Sequence, residues 1–515
     1  MKHHLLTAII MALCLVPITS HAYDFSAVND DGVTIYYNII SEEEKTCGVT
    51  YGIDSEGFDV PYTGDIVIPS KANGYTITKI LSGFENSDIT SVTIPNTVTS
   101  IEPWSFDCCQ KLSSIKIPNS VISIGEVAFA GCPELKTVII GDGVKTIGER
   151  AFIMCTKLET LIIGKSLETI HYTAFEDCTS LSHLELNMPM VKEWFYTMES
   201  IETVTLGDNV NTIGVDAFCY TSLTSINIPN SVTVIGDNAF GGCKHLTSIE
   251  IPNSVTIIGN DAFQGCSALK SITIPASVTT IGDFAFENCT SLTSAKIGDS
   301  HVTSNCSTAI NTGAFKGCTK LESVTLGNSV SSIGESDIEV NSRGAIFGGC
   351  TNLATITSHI TELFVPVENA FDGCYDATLY VPRGMIDTYK ATAEWEKFNT
   401  IEEMPSIPLS LSCNTKGSIT INEISNFSNK IGIVYITENS DNTFTFTPKS
   451  NCRLDQVILN GLDITSNVQD NTLTCTIPAN SQMIVTFATE QGDMNNDGTL
   501  DISDVVSIVN KILGN

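Results

Sequence analysis

Ala262-Phe263-Gln-Gly-Cys266-Ser-Ala-Leu269-Lys-Ser-Ile272-Thr-Ile274-Pro275-Ala-Ser-Val278-Thr-Thr-Ile281-Gly282 is followed, after Asp283-Phe284, by Ala285-Phe286-Glu-Asn-Cys289, the same line begun again. Working outward, the phenylalanine recurs as Phe84, Phe106, Phe129, Phe152, Phe175, Phe218, Phe240, Phe263, Phe286, Phe315, Phe347 and Phe371. The step is 23 residues wherever the line is undisturbed, from Phe106 to Phe175 and from Phe240 to Phe286. Within each line Leu269, Ile272 and Ile274 alternate as a short half-buried strand, and Pro275 blocks its continuation. Val278, Ile281, Ala262 and Phe263 are expected to turn inward on the return path.

A fixed period in this range with Leu-x-x-Ile-x-Ile is a leucine-rich-repeat signature. One such turn cannot bury its apolar groups alone, so neighbours must stack into a solenoid. At about 150 residues per domain, 515 residues would suggest three or four globules. The repeat replaces that prior with one parallel sheet, about 60 Å long at the usual strand spacing, with capped ends. The expected fold is predominantly β: a leucine-rich-repeat solenoid with parallel β-sheet and caps, then a small β-sandwich-like domain and an EF-hand-like loop-helix.

Composition narrows the function. Twenty-six Lys+Arg against 58 Asp+Glu leave a net charge of −32. Nucleic acid is excluded, since binding phosphates needs clustered cations, and so is polybasic docking on an anionic membrane. Residues 1–22 carry Lys2, an apolar run from Leu5 to Val16 and a small-residue end at Ala22, which predicts a secretory signal cleaved after Ala22. The run is too short for a transmembrane segment. The protein is expected to be secreted or at the cell surface.

Ten of the eighteen cysteines fall in the repeat, at Cys109, Cys132, Cys155, Cys178, Cys243, Cys266, Cys289, Cys318, Cys350 and Cys374. We read each as a small apolar thiol filling one core layer. No paired spacing suits zinc, while a bridge between adjacent turns remains geometrically open.

The motif Ala-Phe-x-Gly-Cys-x-x-Leu-x-Ser-Ile-x-Ile-Pro-x-Ser-Val-x-x-Ile-Gly resembles the BspA-like (Bacteroides surface protein) class of leucine-rich repeats over residues 66–382. The resemblance implies a bacterial surface or secreted protein, often adhesive and host-facing. Around it the expected organisation is a β-rich N-terminal cap at 23–65, a capping helix and linker at 383–404, a small β domain at 405–488 and a calcium-binding loop-helix at 489–515.

In that last stretch Asp493, Asn495 and Asp497 hold loop positions 1, 3 and 5. Gly498 makes the turn, Thr499 offers its carbonyl, and Asp501 and Asp504 stand at 9 and 12. Hard oxygen donors at this spacing suit calcium. Asp in place of Glu at position 12 resembles dockerins, modules that plug into cohesin partners. A dockerin has two such loops and this chain shows one, so its apolar helix face either clips onto the preceding β domain or docks a cohesin-like partner.

Ligand positions are sought where the repeat is irregular. Extra residues lie around His301–Asn311 and Glu335–Arg343, and insertions of this kind gather on one face. The 43-residue step from Phe175 to Phe218 lacks an Ala-Phe and carries Met188, Met190, Trp194, Phe195, Tyr196 and Met198. These residues either fill the core of a deviant turn or form an exposed aromatic-methionine patch. Trp194, Phe195, Tyr196, His301 and Arg343 are the candidate ligand-binding residues. The hydroxyl column of Ser114, Thr137, Thr160, Ser271 and their equivalents reads as a cross-turn ladder. No catalytic motif is found among the five histidines beyond the signal, or at a phosphate loop. The reading is a non-enzymatic binding protein, mediating protein–protein or host adhesion; the alternative is a dockerin-mediated assembly component of an extracellular carbohydrate-degrading system.

Overall fold

The computed structural model describes residues 23–54, 56, 58–298, 307–334, 345–404, 406–413, 417–421, 425–427, 430–437, 441–448, 452–459, 462–476 and 482–489. The expected signal, the calcium ligands Asp493 to Asp504, His301 and Arg343 lie outside the described residues. The chain separates into two compact units, Met1–Lys270 with Ala285–Thr290, and Ser271–Phe284 with Ser291–Asn515.

In the first unit each turn contributes two strands. Ser114–Ile117, Thr137–Ile140, Thr160–Ile163, His183–Leu186 and Thr203–Leu206 pair in parallel, column residue opposite column residue. The return path adds a second parallel sheet from the two-residue strands Ser100–Ile101, Ser123–Ile124, Thr146–Ile147 and Thr169–Ile170. Ile115, Ile117, Ile124, Phe129, Cys132 and Leu135 of a single turn all point between the two sheets and are buried. At the N-terminal side Phe25–Val28, Thr34–Ser41 and Thr46–Thr50 form an antiparallel meander. Its last strand pairs in parallel with Tyr75–Ile80, which pairs with Ser100–Ile101, so the meander covers the edge that the second sheet would otherwise expose.

The phenylalanines stack from Phe84 to Phe175 and again from Phe218 to Phe286. Phe84, Phe106, Phe129 and Phe152 follow one another at 4.9, 4.7 and 5.0 Å between ring centroids, within 4° of parallel. Tyr62 begins the stack, 4.7 Å from Phe84. The spacing is the strand spacing of the sheets, so in-register stacking is imposed by the backbone. On the surface the same vertical register brings Lys111 to Asp88 at 2.8 Å, Lys145 to Glu168 at 3.0 Å and Lys157 to Glu134 at 2.6 Å. These pairs are exposed and add little stability.

In the second unit Ser271–Ile274, Ser294–Ile297, Ser323–Leu326, Thr355–Ser358 and Thr378–Val381 repeat the first-sheet pattern, and Thr400–Glu403 adds a last parallel strand. The stretch 383–404, expected as a capping helix and linker, is therefore only partly so. Its α-helix spans Ile386–Lys390 alone, followed by a short 3-10 turn at Trp395–Lys397. Ala391 caps the helix, and Glu394, at φ 71°, is the N-cap of the 3-10 turn. Trp395 closes the aromatic stack, 4.9 Å from Phe371, and its Nε1 donates to the Phe364 carbonyl at 3.1 Å.

Further along the second unit, Ser406–Cys413, Lys430–Thr437, Cys452–Leu459, Leu462–Asp463 and Gln482–Thr489 form one sheet, and Gly417–Ile421, Ser425–Phe427, Asp441–Pro448 and Thr472–Thr476 another. Ile419, Phe444, Phe446 and Leu473 of the second share one core with Val457, Met483 and Val485 of the first. Among the described residues no helix is long and apolar enough to cross a membrane.

Candidate functional site

The turn between Phe175 and Phe218 is shortened rather than lost. Met190–Val191 pairs in parallel with Thr212–Ile213, so Val191 stands where other turns carry the Ile of Ile-Gly. Phe195 is fully buried, and the Thr197 amide donates to the Cys219 carbonyl at 3.0 Å, as Cys108 does to Ala130 at 2.8 Å in a regular turn. Phe195 is thus the missing member of the column, 20 residues after Phe175 and 23 before Phe218. Searching for Ala-Phe passes over it because Trp194 replaces the alanine. Two of the three missing residues are lost between Leu186 and Val191, and one between Val191 and Phe195.

A 20-residue turn cannot extend as far as its 23-residue neighbour, and a cleft of about 570 Å³ opens between residues 172–179 and 194–200. Tyr172, Glu176, Asp177, Trp194, Tyr196, Thr197 and Glu199 line it. Tyr172 is 83% exposed and Tyr196 47%, while Trp194 is half-buried. Tyr220, 46% exposed, meets Tyr196 edge to face at 6.2 Å. Met198 stands where the column thiol would be, three residues after Phe195. Of the expected ligand residues, then, Trp194 and Tyr196 reach the cleft and Phe195 faces the core.

The residue two after each column phenylalanine adopts a left-handed conformation; it is glycine in six turns, at Gly131, Gly242, Gly265, Gly317, Gly349 and Gly373, and Asn86, Cys108 and Asn288 are among the others. Four consecutive turns place Met154, Asp177, Thr197 and Tyr220 there instead, at φ 58 to 60°. Each such residue costs roughly 1–2 kcal/mol relative to a relaxed backbone. The conformation belongs to the repeat as a whole, and here it places Asp177 and Thr197 at the cleft and Tyr220 beside Tyr196. No sequence signal beyond the absence of glycine marks these positions.

On the first-sheet face the hydroxyl column is a ladder in register, Ser114 opposite Thr137, Thr137 opposite Thr160 and Thr160 opposite His183. His183 Nδ1 lies 2.7 Å from the Thr203 hydroxyl, so the histidine is a rung of the ladder. The column thiols Cys109, Cys132, Cys155, Cys178, Cys243, Cys266, Cys289, Cys318, Cys350 and Cys374 are buried, and none forms a disulfide. Burial pushes the Cys243 thiol up to about 11. Among the described residues no cluster of His, Cys, Asp and Glu is arranged to hold a metal.

These features define a repeat protein that laminates two-stranded turns into two parallel sheets around a phenylalanine–cysteine core. The BspA-type leucine-rich repeat region matches it in six copies over residues 81–192, 190–306 and 300–378, more than half of the chain. The chain belongs to the BspA-type leucine-rich repeat family. Two of the matched stretches meet at 190–192, in the shortened turn. Among solved structures it is similar to a leucine-rich cell surface protein from Faecalibacterium prausnitzii A2-165, with 26% identity over 71% of this chain and 97% of that one at a TM-score of 0.31. It is similar to a leucine-rich repeat protein from Bacteroides ovatus ATCC 8483, with 25% identity over 70% and 100% at a TM-score of 0.38. The pneumococcal vaccine antigen PcpA matches at 18% identity over 74% and 99%, with a TM-score of 0.32. No curated protein matches the chain.

Proposed function

We propose that this is an exported, surface-displayed bacterial binding protein whose repeats present the aromatic cleft beside Trp194 to a protein partner, and that it is not an enzyme. The observation that carries the reading is the cleft itself. Large rings with polar tips, gathered at the most shortened turn of the column, are the side chains that dominate protein interfaces. The Sec-type start at residues 1–22 supports export, and the family's repeat supports an interaction scaffold. The test is adhesion of the full chain to immobilised extracellular-matrix proteins and to cells, compared with a Trp194→Ala/Tyr196→Ala variant. Loss of adhesion with an unchanged melting temperature supports the reading. Unchanged adhesion refutes the cleft as its site.

The tail favours a second element. Asp493, Asn495, Asp497, Thr499, Asp501 and Asp504 are all hard oxygen donors and fit one calcium ion. We propose that they hold it, and that the β module before them is an accessory sandwich carrying this loop-helix. Retention on a cohesin-bearing partner that is lost with Asp493→Ala would select dockerin-like assembly as the protein's role. Adhesion that survives deletion of 490–515 would select the solenoid.

A further inference from the structure

We infer that the partner offers the cleft a basic segment, an exposed stretch of chain presenting lysine or arginine to the space between Trp194 and Tyr172. This inference rests on the reading of the cleft as a docking site and names its ligand chemistry. The lining combines three rings, Tyr172, Trp194 and Tyr196, with three carboxylates, Glu176, Asp177 and Glu199, and includes no lysine or arginine. An aromatic face attracts a cation through its quadrupole, and exposed carboxylates alongside supply the charge-assisted hydrogen bonds that fix it. The Trp194 ring already takes one cation of the chain itself: Lys192 Nζ stands over it at 5.6 Å while donating to the Glu168 backbone carbonyl at 3.2 Å. Asp177, exposed at the left-handed position two after Phe175, carries its carboxylate at the rim of the cleft. A chain of net charge −32 also draws a cationic partner in from a distance. The charge complementarity favours a basic peptide over a neutral sugar, which would leave the three carboxylates uncompensated.

The experiment is fluorescence anisotropy with labelled twelve-residue peptides that are Lys/Arg-rich, neutral or Glu-rich, and with a labelled neutral oligosaccharide, each titrated with the full chain. The expected result is binding of the basic peptide alone, weakened by salt. Affinity should fall about tenfold or more in Trp194→Ala and in Glu176→Gln/Glu199→Gln, and be retained in Trp194→Phe. The two glutamates are exposed, so the second variant tests the idea even where Trp194→Ala unfolds. A charge-matched control, Glu322→Gln/Glu362→Gln, should bind as the parent does. Equal loss in that control, or no loss in either cleft variant, would mean general attraction to an acidic chain and overturn the inference. Trp194-dependent binding of the neutral peptide, the Glu-rich peptide or the oligosaccharide would overturn the partner chemistry while sustaining the cleft. No binding by any probe would overturn the inference too, and the cleft itself would fall only if adhesion is also indifferent to Trp194→Ala/Tyr196→Ala.

Discussion

Cys132 Sγ donates a hydrogen bond to the Phe106 carbonyl of the preceding turn at 3.2 Å, and the bond recurs from Cys155 to Phe129 and from Cys178 to Phe152 at 3.2 and 3.1 Å. Farther along, Cys266 reaches Phe240 at 3.2 Å and Cys350 reaches Phe315 at 3.2 Å. The two columns of the motif are therefore one device: the ring fills the layer, and the thiol three residues on ties that layer to the one before. The carbonyl already accepts the amide three residues on, Cys243 N to Phe240 at 3.1 Å, and the thiol of the next turn adds a second donor to the same oxygen.

Removing one tie should show that cost. Cys266→Ala leaves the Phe240 carbonyl without its thiol donor and leaves a small void. A loss of about 0.5–1.5 kcal/mol for the bond is expected in urea unfolding, because the carbonyl keeps the Cys243 amide as donor. Phe263→Ala, which opens the stack itself, should cost more, about 3–5 kcal/mol. Full recovery of stability in Cys266→Val, which keeps the volume and removes the donor, would mean that the thiol contributes only volume.

The thiols also set a basic limit on stability. Burial raises Cys243 from an ordinary 9.0 to about 11, so the folded state keeps its proton where the unfolded state has released it. Stability from this group is fully present below pH 9 and declines as pH rises from 9 to 11. Burial acts in the same direction on Cys47, also raised to about 11, and on Cys374, pushed up to about 12. Urea midpoints should fall between pH 8 and pH 10.5, and less steeply in Cys243→Ala. A flat profile would contradict the burial.

Left-handed positions make a paired prediction. Thr197 is β-branched, exposed and held at φ 60°, so Thr197→Gly should raise stability by up to about 1 kcal/mol as the strain is released. Gly265 has the same conformation at φ 71°, and a Cβ built on it meets only Gly242 atoms at 3.8 Å or more. Gly265→Thr should therefore cost about 1–2 kcal/mol through backbone strain alone. Melting temperatures of the two variants should move in opposite directions. The stabilised variant is also expected to bind less well, because the side chain it loses lines the cleft.

How much of this was legible depends on length and on what each residue type announces. The four-residue strands were legible because Leu269, Ile272 and Ile274 alternate and Pro275 ends them. The return strands were not, since two residues such as Thr280 and Ile281 are too few to show a period, and it is stacking that pairs them. Phe195 was visible as a bulky residue but not as the column member, because only the pairing of Val191 with Ile213 fixes the register of a turn three residues short. Trp194 and Tyr196 were found as an anomaly in composition. Tyr172, Glu176 and Glu199 were not, because in sequence they are ordinary surface residues and only the shortened turn brings them to one cleft.

Calcium supplies the last test, on the full chain. One saturable site is expected by titration calorimetry, absent in Asp493→Ala, because position 1 of the loop contributes a direct carboxylate ligand. The readout that separates the two roles of the tail is the β module. Under the clip, calcium raises its melting temperature and slows amide exchange in Cys452–Leu459 and Gln482–Thr489, since a ligand bound only by the folded state stabilises it. Under outward docking, calcium binds with the same stoichiometry and leaves those strands unchanged, and stabilisation appears only when a cohesin is added. If no calcium binds, a single loop does not suffice in this chain, and the solenoid alone carries the binding function.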